Sequence, residues 1–264
     1  MTLTIPSPDW RNLAGRLCLD AAVAYSLRRD RLSDGEETTV YVVGHPLAEV
    51  RPRACLFRQP RRLDWYCAKN RIDEAVVGGF YRRDPFRPLG ELWLDGRQVD
   101  GEPFPDAYRD LRPALQLTDG EVRIAPRGDL PAAPDGDLLQ AGPLLVHDGR
   151  VAFDGAADTE GFSAGCEQFD SDITDGRHPR AAIGLSDSTL WVLACDGRRS
   201  RVDAGLTMTE LAEAMLDLGC HVAMNLDGGG STTLVHRRHL LNRPYSEQDQ
   251  AAPASRPVVT ALVL

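Results

Sequence analysis

The sequence predicts an α+β fold: a single compact domain of mixed and antiparallel β-sheets, with several hairpins and few helices. Three observations lead there. Asp-Gly pairs stand between apolar or β-branched runs in "LWLDGRQV", "LVHDGRVA" and "VLACDGRRS", and such pairs favour hairpin turns because both turn positions need positive φ. One segment, "GLTMTELAEAMLDLGC", has a clear helical pattern. The chain closes on "RPVVTALVL", a continuous apolar run of the length of a buried strand. The irregular spacing of the three Asp-Gly segments argues against a solenoid repeat.

Taken in order, residues 1–16 read as an N-terminal extension and 17–264 as the domain. A weaker helix is expected in "RRLDWYCAKNRIDE", where Leu63, Cys67 and Ile72 fall partly in phase. Residues 103–137 are rich in Pro, Asp and Gly, notably "APRGDLPAAPDGD", and read as a surface excursion between strand-like flanks. Residues 154–176 form a second, acidic loop. "RAAIGLSDSTLWVLACDGR" reads as a strand, a tight turn, a strand and a further turn. In the strong helix, Thr207 and Glu210 make a capping-box pattern, Leu211, Met215 and Leu218 share one face, and Gly219 supplies the stop.

Composition bounds the function. The 264 residues are 42% hydrophobic and 26% charged, which suits a globular domain with a real core. The formal charge of −9 argues against nucleic-acid binding, which normally needs a basic face. An anionic substrate therefore needs a locally positive site. No apolar stretch is long enough to cross a bilayer, so membrane insertion is not expected. The start lacks a basic segment followed by an apolar one, so the chain is expected to be cytoplasmic, or secreted if a leader has been removed. Six scattered cysteines contain no CxxC pair, which offers neither a zinc site nor a compact disulfide framework. Free thiols, no metal and no cofactor are the expectation.

The chemistry concentrates in "NLDGGGSTTLV", Asn225 to Val235, where three glycines separate Asp227 from Ser231 and Thr232. Consecutive glycines are costly to order, so something requires a bare backbone there. No Lys follows them, which excludes a P-loop, and Ser231 lacks the G-x-S-x-G frame of a nucleophile elbow. On the glycines alone a plain turn is the better reading. The sharper alternative is a nest of N–H groups from Gly228, Gly229, Gly230, Ser231 and Thr232 around an anion. His236 and His239 lack a helical H-E-x-x-H frame. "DSDITDG" places its Gly one position late for a calcium loop, and no Glu closes it.

The wider pattern resembles the phosphodiester glycosidase family. "NLDGGGSTT" is preceded by "GRHPRAAIG"; "AVVGGFY" is similar to that family's A-I-N-G-G-F-F, and "PLGELWLDGRQV" follows in place. "AGPLLVHDGRV", "NRP" and "RPVVTALVL" are similar to later landmarks, so the likeness runs from about Leu17 to the C-terminus. It implies cleavage of a sugar from a phosphodiester at the anomeric carbon, acting on a phosphorylated carbohydrate. In that reading Asp227 is nucleophile or base, His178 donates or shuttles a proton, and Arg180 grips phosphate. The same landmarks add Asn225 to the catalytic set and Gly79, Phe80 and Arg243 to the substrate-binding set. Asp172, Asp175 and Glu167 are candidates for a second carboxylate. Val77 stands where the family pattern has Asn, which puts the substrate in question rather than the fold. A phosphodiesterase attacking phosphorus and a non-catalytic binder of phosphorylated glycans are the competing readings.

Overall fold

A computed structural model describes residues 24–154, 157–163, 173–199, 202–245 and 255–264; the expected N-terminal extension lies outside them. The chain begins with strands β1 (Ala24–Arg31), β2 (Glu37–Pro46) and β3 (Arg53–Arg61), then helix α1 (Leu63–Asn70). Short strands follow: β4 (Ala75–Val77), β5 (Tyr81–Arg83), β6 (Phe86–Pro88), β7 (Leu92–Leu94) and β8 (Arg97–Gln98). After helix α2 (Asp106–Arg109) come β9 (Pro113–Thr118), β10 (Glu121–Pro126), β11 (Asp137–Gln140), β12 (Leu144–His147) and β13 (Arg150–Val151). Beyond the acidic loop lie β14 (Arg180–Leu185), β15 (Thr189–Cys195) and helix α3 (Met208–Asp217). Strands β16 (Val222–Asn225), β17 (Leu234–His236), β18 (His239–Leu240) and β19 (Val258–Val263) complete the chain.

These strands build three larger sheets and one hairpin. The seven-stranded sheet has the order β1-β2-β15-β14-β16-β12-β13, and the two five-stranded sheets run β10-β9-β11-β7-β8 and β18-β17-β4-β19-β3. Strands β5 and β6 pair only with each other. Period-two alternation decides which face of the large sheet each side chain takes. Val40, Val42, Ala182, Leu193 and Ala223 pack with Leu211 and Met215 of α3. The alternate residues Tyr41, Val43, Ala181, Ile183, Val192 and Met224 join Val76, Phe57, Leu115 and Ala261 of the smaller sheets in the main core. The large sheet is thus covered on both faces, and its central strand β14 is buried throughout.

Local signals account for much of this. At α3 the Glu210 N–H donates to Thr207 Oγ1 at 3.1 Å, and the Thr207 N–H donates to Glu210 Oε2 at 2.9 Å, completing the capping box. Gly219 takes φ +81° just past the helix end. The weaker helix is α1, with Leu63 and Cys67 buried. Asp95-Gly96 and Asp148-Gly149 both have positive φ and turn the hairpins β7–β8 and β12–β13. The closing run is β19, hydrogen-bonded between β4 and β3.

Two expectations are corrected. Asp196-Gly197 turns no hairpin: Asp196 is buried, and a Cβ on Gly197 would stand 2.6 Å from Pro179 N. That glycine serves close backbone approach instead. Residues 103–137 are no surface excursion either, because they supply β9 and β10, and β9 is buried at its first five positions. The loop composition of "APRGDLPAAPDGD" belongs to a short crossing between β10 and β11, where Arg127 is buried against Glu91 at 2.5 Å. Among the described residues no helix is long and apolar enough to cross a membrane.

Candidate active site

Antiparallel pairing brings three loops to one end of the large sheet. Arg180, first in β14, lies opposite Cys195, last in β15, and Ala182 lies opposite Asn225, last in β16. The segments 176–179, 196–199 and 226–232 therefore meet at the same edge. Pro179 is held between two of them: a Cβ on Gly197 would meet its nitrogen, and one on Gly228 would stand 3.0 Å from its oxygen. The smaller sheet enters through Gly78, whose carbonyl accepts the Asp227 N–H at 3.0 Å.

Asp227 occupies the junction. Its Oδ1 accepts the Gly228 N–H at 2.9 Å, while Oδ2 is buried with no hydrogen-bond partner among the described residues. A buried carboxylate oxygen without a donor is costly, and such a group is a strong functional candidate. Burial pushes its carboxyl up to about 6, against the opposing pull of Ser231, Arg256, the Gly228 N–H and Arg83.

Most of the N–H groups that the nest reading would aim at an anion have partners within the protein. The Gly229 N–H donates to Pro179 O at 2.8 Å, the Ser231 N–H to Gly228 O at 3.1 Å, and the Thr232 N–H to Gly229 O at 3.3 Å. With the Gly228 N–H on Asp227, four of the five N–H groups from Gly228 to Thr232 are engaged within the protein, and residues 229–231 close a single 3₁₀ turn. The bare backbone admits arginines instead. A Cβ on Gly229 would stand 3.3 Å from Arg198 Nη2, and one on Gly230 would collide with Arg256 Nη2. Two guanidinium groups thus lie against the turn that carries Asp227. Positive charge comes to this site from side chains.

The remaining expected residues sort by what they touch. Arg180 is 3% exposed, and its Nε, Nη1 and Nη2 donate to the carbonyls of Leu206, Ile173 and Gly176 at 3.0, 2.8 and 3.1 Å. These bonds brace the base of the acidic loop, and the Arg180 Cδ would stand 4.0 Å from a Cβ on Gly228. Asn225 is buried; its Nδ2 donates to Gly142 O at 2.8 Å and its Oδ1 has no partner among the described residues. His178 is half-buried, and its Nδ1 accepts from Arg198 Nε at 3.3 Å. Burial, then the charges of Arg180 and Arg198, hold its pKa below the usual histidine range.

Phe80 belongs to the main core, with Phe162 at 5.9 Å between ring centroids, and Gly79 is buried with its carbonyl on Thr260 Oγ1 at 3.1 Å. Ser231 and Thr232 are buried in the turn. The Arg243 side chain is exposed, and its N–H donates to Asp196 Oδ1 at 2.6 Å. Val77 is fully buried in the main core on β4, so the departure from the family pattern is a core position. Asp175 is exposed beside His178, and Glu167 and Asp172 lie outside the described residues. Among the described residues no group of three or more His, Cys, Asp or Glu side chains could hold a metal.

Three contributors had no individual signal in the sequence. Arg198 stood in the misassigned "ACDGRRS" turn, and Arg256 opened the closing "RPVV" run, read only as a strand. Asp196 is 1% exposed, accepts from Tyr41 Oη at 2.9 Å, and is pushed up to about 6 by burial. Its hydrogen bond to Arg243 N ties the "NRP" segment to the end of β15. An Asp-Gly pair looks alike whether it makes a turn or a close packing contact, which is why the sequence hid it.

Comparison with known proteins agrees with this architecture. The family model for phosphodiester glycosidase matches residues 70–264. A hypothetical protein from Synechocystis superposes with a TM-score of 0.70 at 18% identity, over 92% of this chain and 62% of that one. The catalytic domain of zebrafish N-acetylglucosamine-1-phosphodiester alpha-N-acetylglucosaminidase, auto-inhibited by its pro-peptide, gives 0.70 at 17% identity over 94% and 84%. At those identities the likeness is one of fold. The SPbeta prophage-derived uncharacterized protein YomE of Bacillus subtilis strain 168 is 43% identical over 68 residues, which span 25% of this chain and 10% of that protein. With the family model covering most of the chain, and the "NLDGGGSTT" turn carrying its aspartate at the convergence of three loops, the chain belongs to the phosphodiester glycosidase family.

Proposed function

We propose that the protein hydrolyses the glycosidic C–O bond of a sugar-1-phosphodiester, releasing free sugar and a phosphate monoester. The observation that carries this reading is the half-buried Asp227, whose Oδ2 is buried and without a partner among the described residues, beside arginines that lie against its own turn. Cleavage at the anomeric carbon develops positive charge at carbon and negative charge on the departing phosphate. Asp227 suits the first and Arg198 and Arg256 the second. A phosphate leaves without strong protonation, so the site's main task is to hold its charge. His178, kept neutral with Nδ1 accepting from Arg198, retains a proton on its other ring nitrogen for transfer within the site.

The test is a panel of sugar-1-phosphodiesters with product identification, run with and without a chelator. Free sugar and a phosphate monoester are expected, at rates unchanged by chelation. Sugar-1-phosphate and an alcohol would assign a phosphodiesterase; binding without turnover would assign a glycan-binding protein. Activity lost to the chelator and restored by one divalent ion would return the acidic loop to consideration as a cation site.

A further inference from the structure

The hairpin β5–β6 follows directly on the Gly78 carbonyl that holds Asp227, and its two faces differ in character. Register places Tyr81 opposite Pro88 and Arg83 opposite Phe86, so these four side chains share one face. Arg82 and Arg87 take the other face, where both reach Glu102; the Arg82 Nη2 contact is 2.8 Å and the Arg87 Nη2 contact 3.4 Å. That double anchor pins the hairpin to the body; on the opposite face Pro88 is buried and the half-buried Tyr81 packs on the main core, which leaves Arg83 and Phe86 exposed. Tyr81 Oη donates to Pro257 O at 3.1 Å, next to Arg256, which lies against Gly230. The charge of Arg83 reaches Asp227.

On this face the rings of Tyr81 and Phe86 lie 6.3 Å apart, and Phe86 is 52% exposed. Phe86 thus presents an apolar ring to water on the same face as Arg83, whose charge acts on Asp227. The apolar C–H face of a pyranose is suited to this, because its weakly positive hydrogens meet the negative face of an aromatic ring. We propose that the Tyr81–Phe86 face of the β5–β6 hairpin is the platform that binds the sugar ring of the substrate, with Phe86 its principal contact. The phosphate then lies across Asp227, on the side of Arg198 and the Gly229–Gly230 turn. This assignment rests on the glycosidase reading for the order of the groups, but its test needs no turnover.

The intact protein is titrated calorimetrically with glucose 1-phosphate, N-acetylglucosamine 1-phosphate, glycerol phosphate and inorganic phosphate. At least one sugar phosphate is expected to bind about tenfold more tightly than inorganic phosphate. In Phe86→Ala that advantage should shrink to about twofold, with inorganic phosphate affinity unchanged; Phe86→Trp should retain it. No sugar advantage in the wild type, or an advantage that survives Phe86→Ala, would overturn the proposal. A variant that loses glycerol phosphate affinity instead would put the aglycone on this face, which also overturns it. Failure of the hydrolytic reading would show separately, as intact sugar recognition without free-sugar release.

Discussion

Replacing Asp227 by asparagine is expected to lower kcat by about 10⁴-fold or more, the scale of losing a reacting group. Affinity for inorganic phosphate should stay within about twofold, because the arginines that hold the anion are untouched. Asparagine keeps the shape and can still accept the Gly228 N–H through its carbonyl oxygen, so the turn should survive. The wild type should also show an acidic limb in kcat/KM near pH 6. Burial pushes the Asp227 carboxyl up to about 6, and only its ionised form can attack carbon or take a proton from water. Activity is thus present above that value and lost as pH falls through it. Steady-state kinetics of the two proteins from pH 4 to 8, with phosphate as a competitive inhibitor, reads both effects. A variant with wild-type kcat would remove Asp227 from the chemistry.

The second large effect is expected at Arg256. Arg256→Ala should reduce kcat/KM by about ten- to a hundredfold, since a charge-assisted contact to phosphate contributes about 1.5–3 kcal/mol. The fold should tolerate it, because the side chain lies over the Gly230 turn and not in the core. Arg180→Ala should behave oppositely. Removing a guanidinium that donates to three carbonyls leaves the buried Leu206 carbonyl unmet, which costs about 1–3 kcal/mol, and frees the part-buried Ile173 and Gly176 carbonyls. Its signature is a lower Tm, with any kinetic loss following from loop disorder. Equal kinetic losses at unchanged Tm for both variants would restore Arg180 as a phosphate ligand.

The contrast between these arginines shows what the sequence reveals and what it hides. Helix α3 was readable because its signals are local: a Thr207–Glu210 capping box and a Gly219 stop lie within one short segment. The hairpins at Asp95-Gly96 and Asp148-Gly149 were readable for the same reason. Asp196-Gly197 has the same letters, yet Pro179 packs on its glycine from the segment before β14, and no local pattern carries that. Residues 103–137 misled through composition, because the burial of β9 comes from its partners β10 and β11 and from the main core. The aspartate of the site was legible as part of an ordered set of landmarks. Its arginines were not, since Arg198 and Arg256 reach the glycine turn only after the large sheet and the sheet of β4 and β19 have been brought together. The glycines themselves were legible as a demand for space, and guanidinium groups lie in the space at Gly229 and Gly230.

The bond that breaks is the point on which the whole account depends. Attack on phosphorus would bring the Asp227 carboxylate, or water activated by it, against the anionic phosphodiester, two like charges together. Attack at the anomeric carbon meets developing positive charge instead, while the arginines hold the departing phosphate. Hydrolysis in ¹⁸O-labelled water, with both products analysed by mass spectrometry, decides between them. The account predicts label on the anomeric oxygen of the released sugar and none in the phosphate monoester. Label in the phosphate would contradict it and make the enzyme a phosphodiesterase.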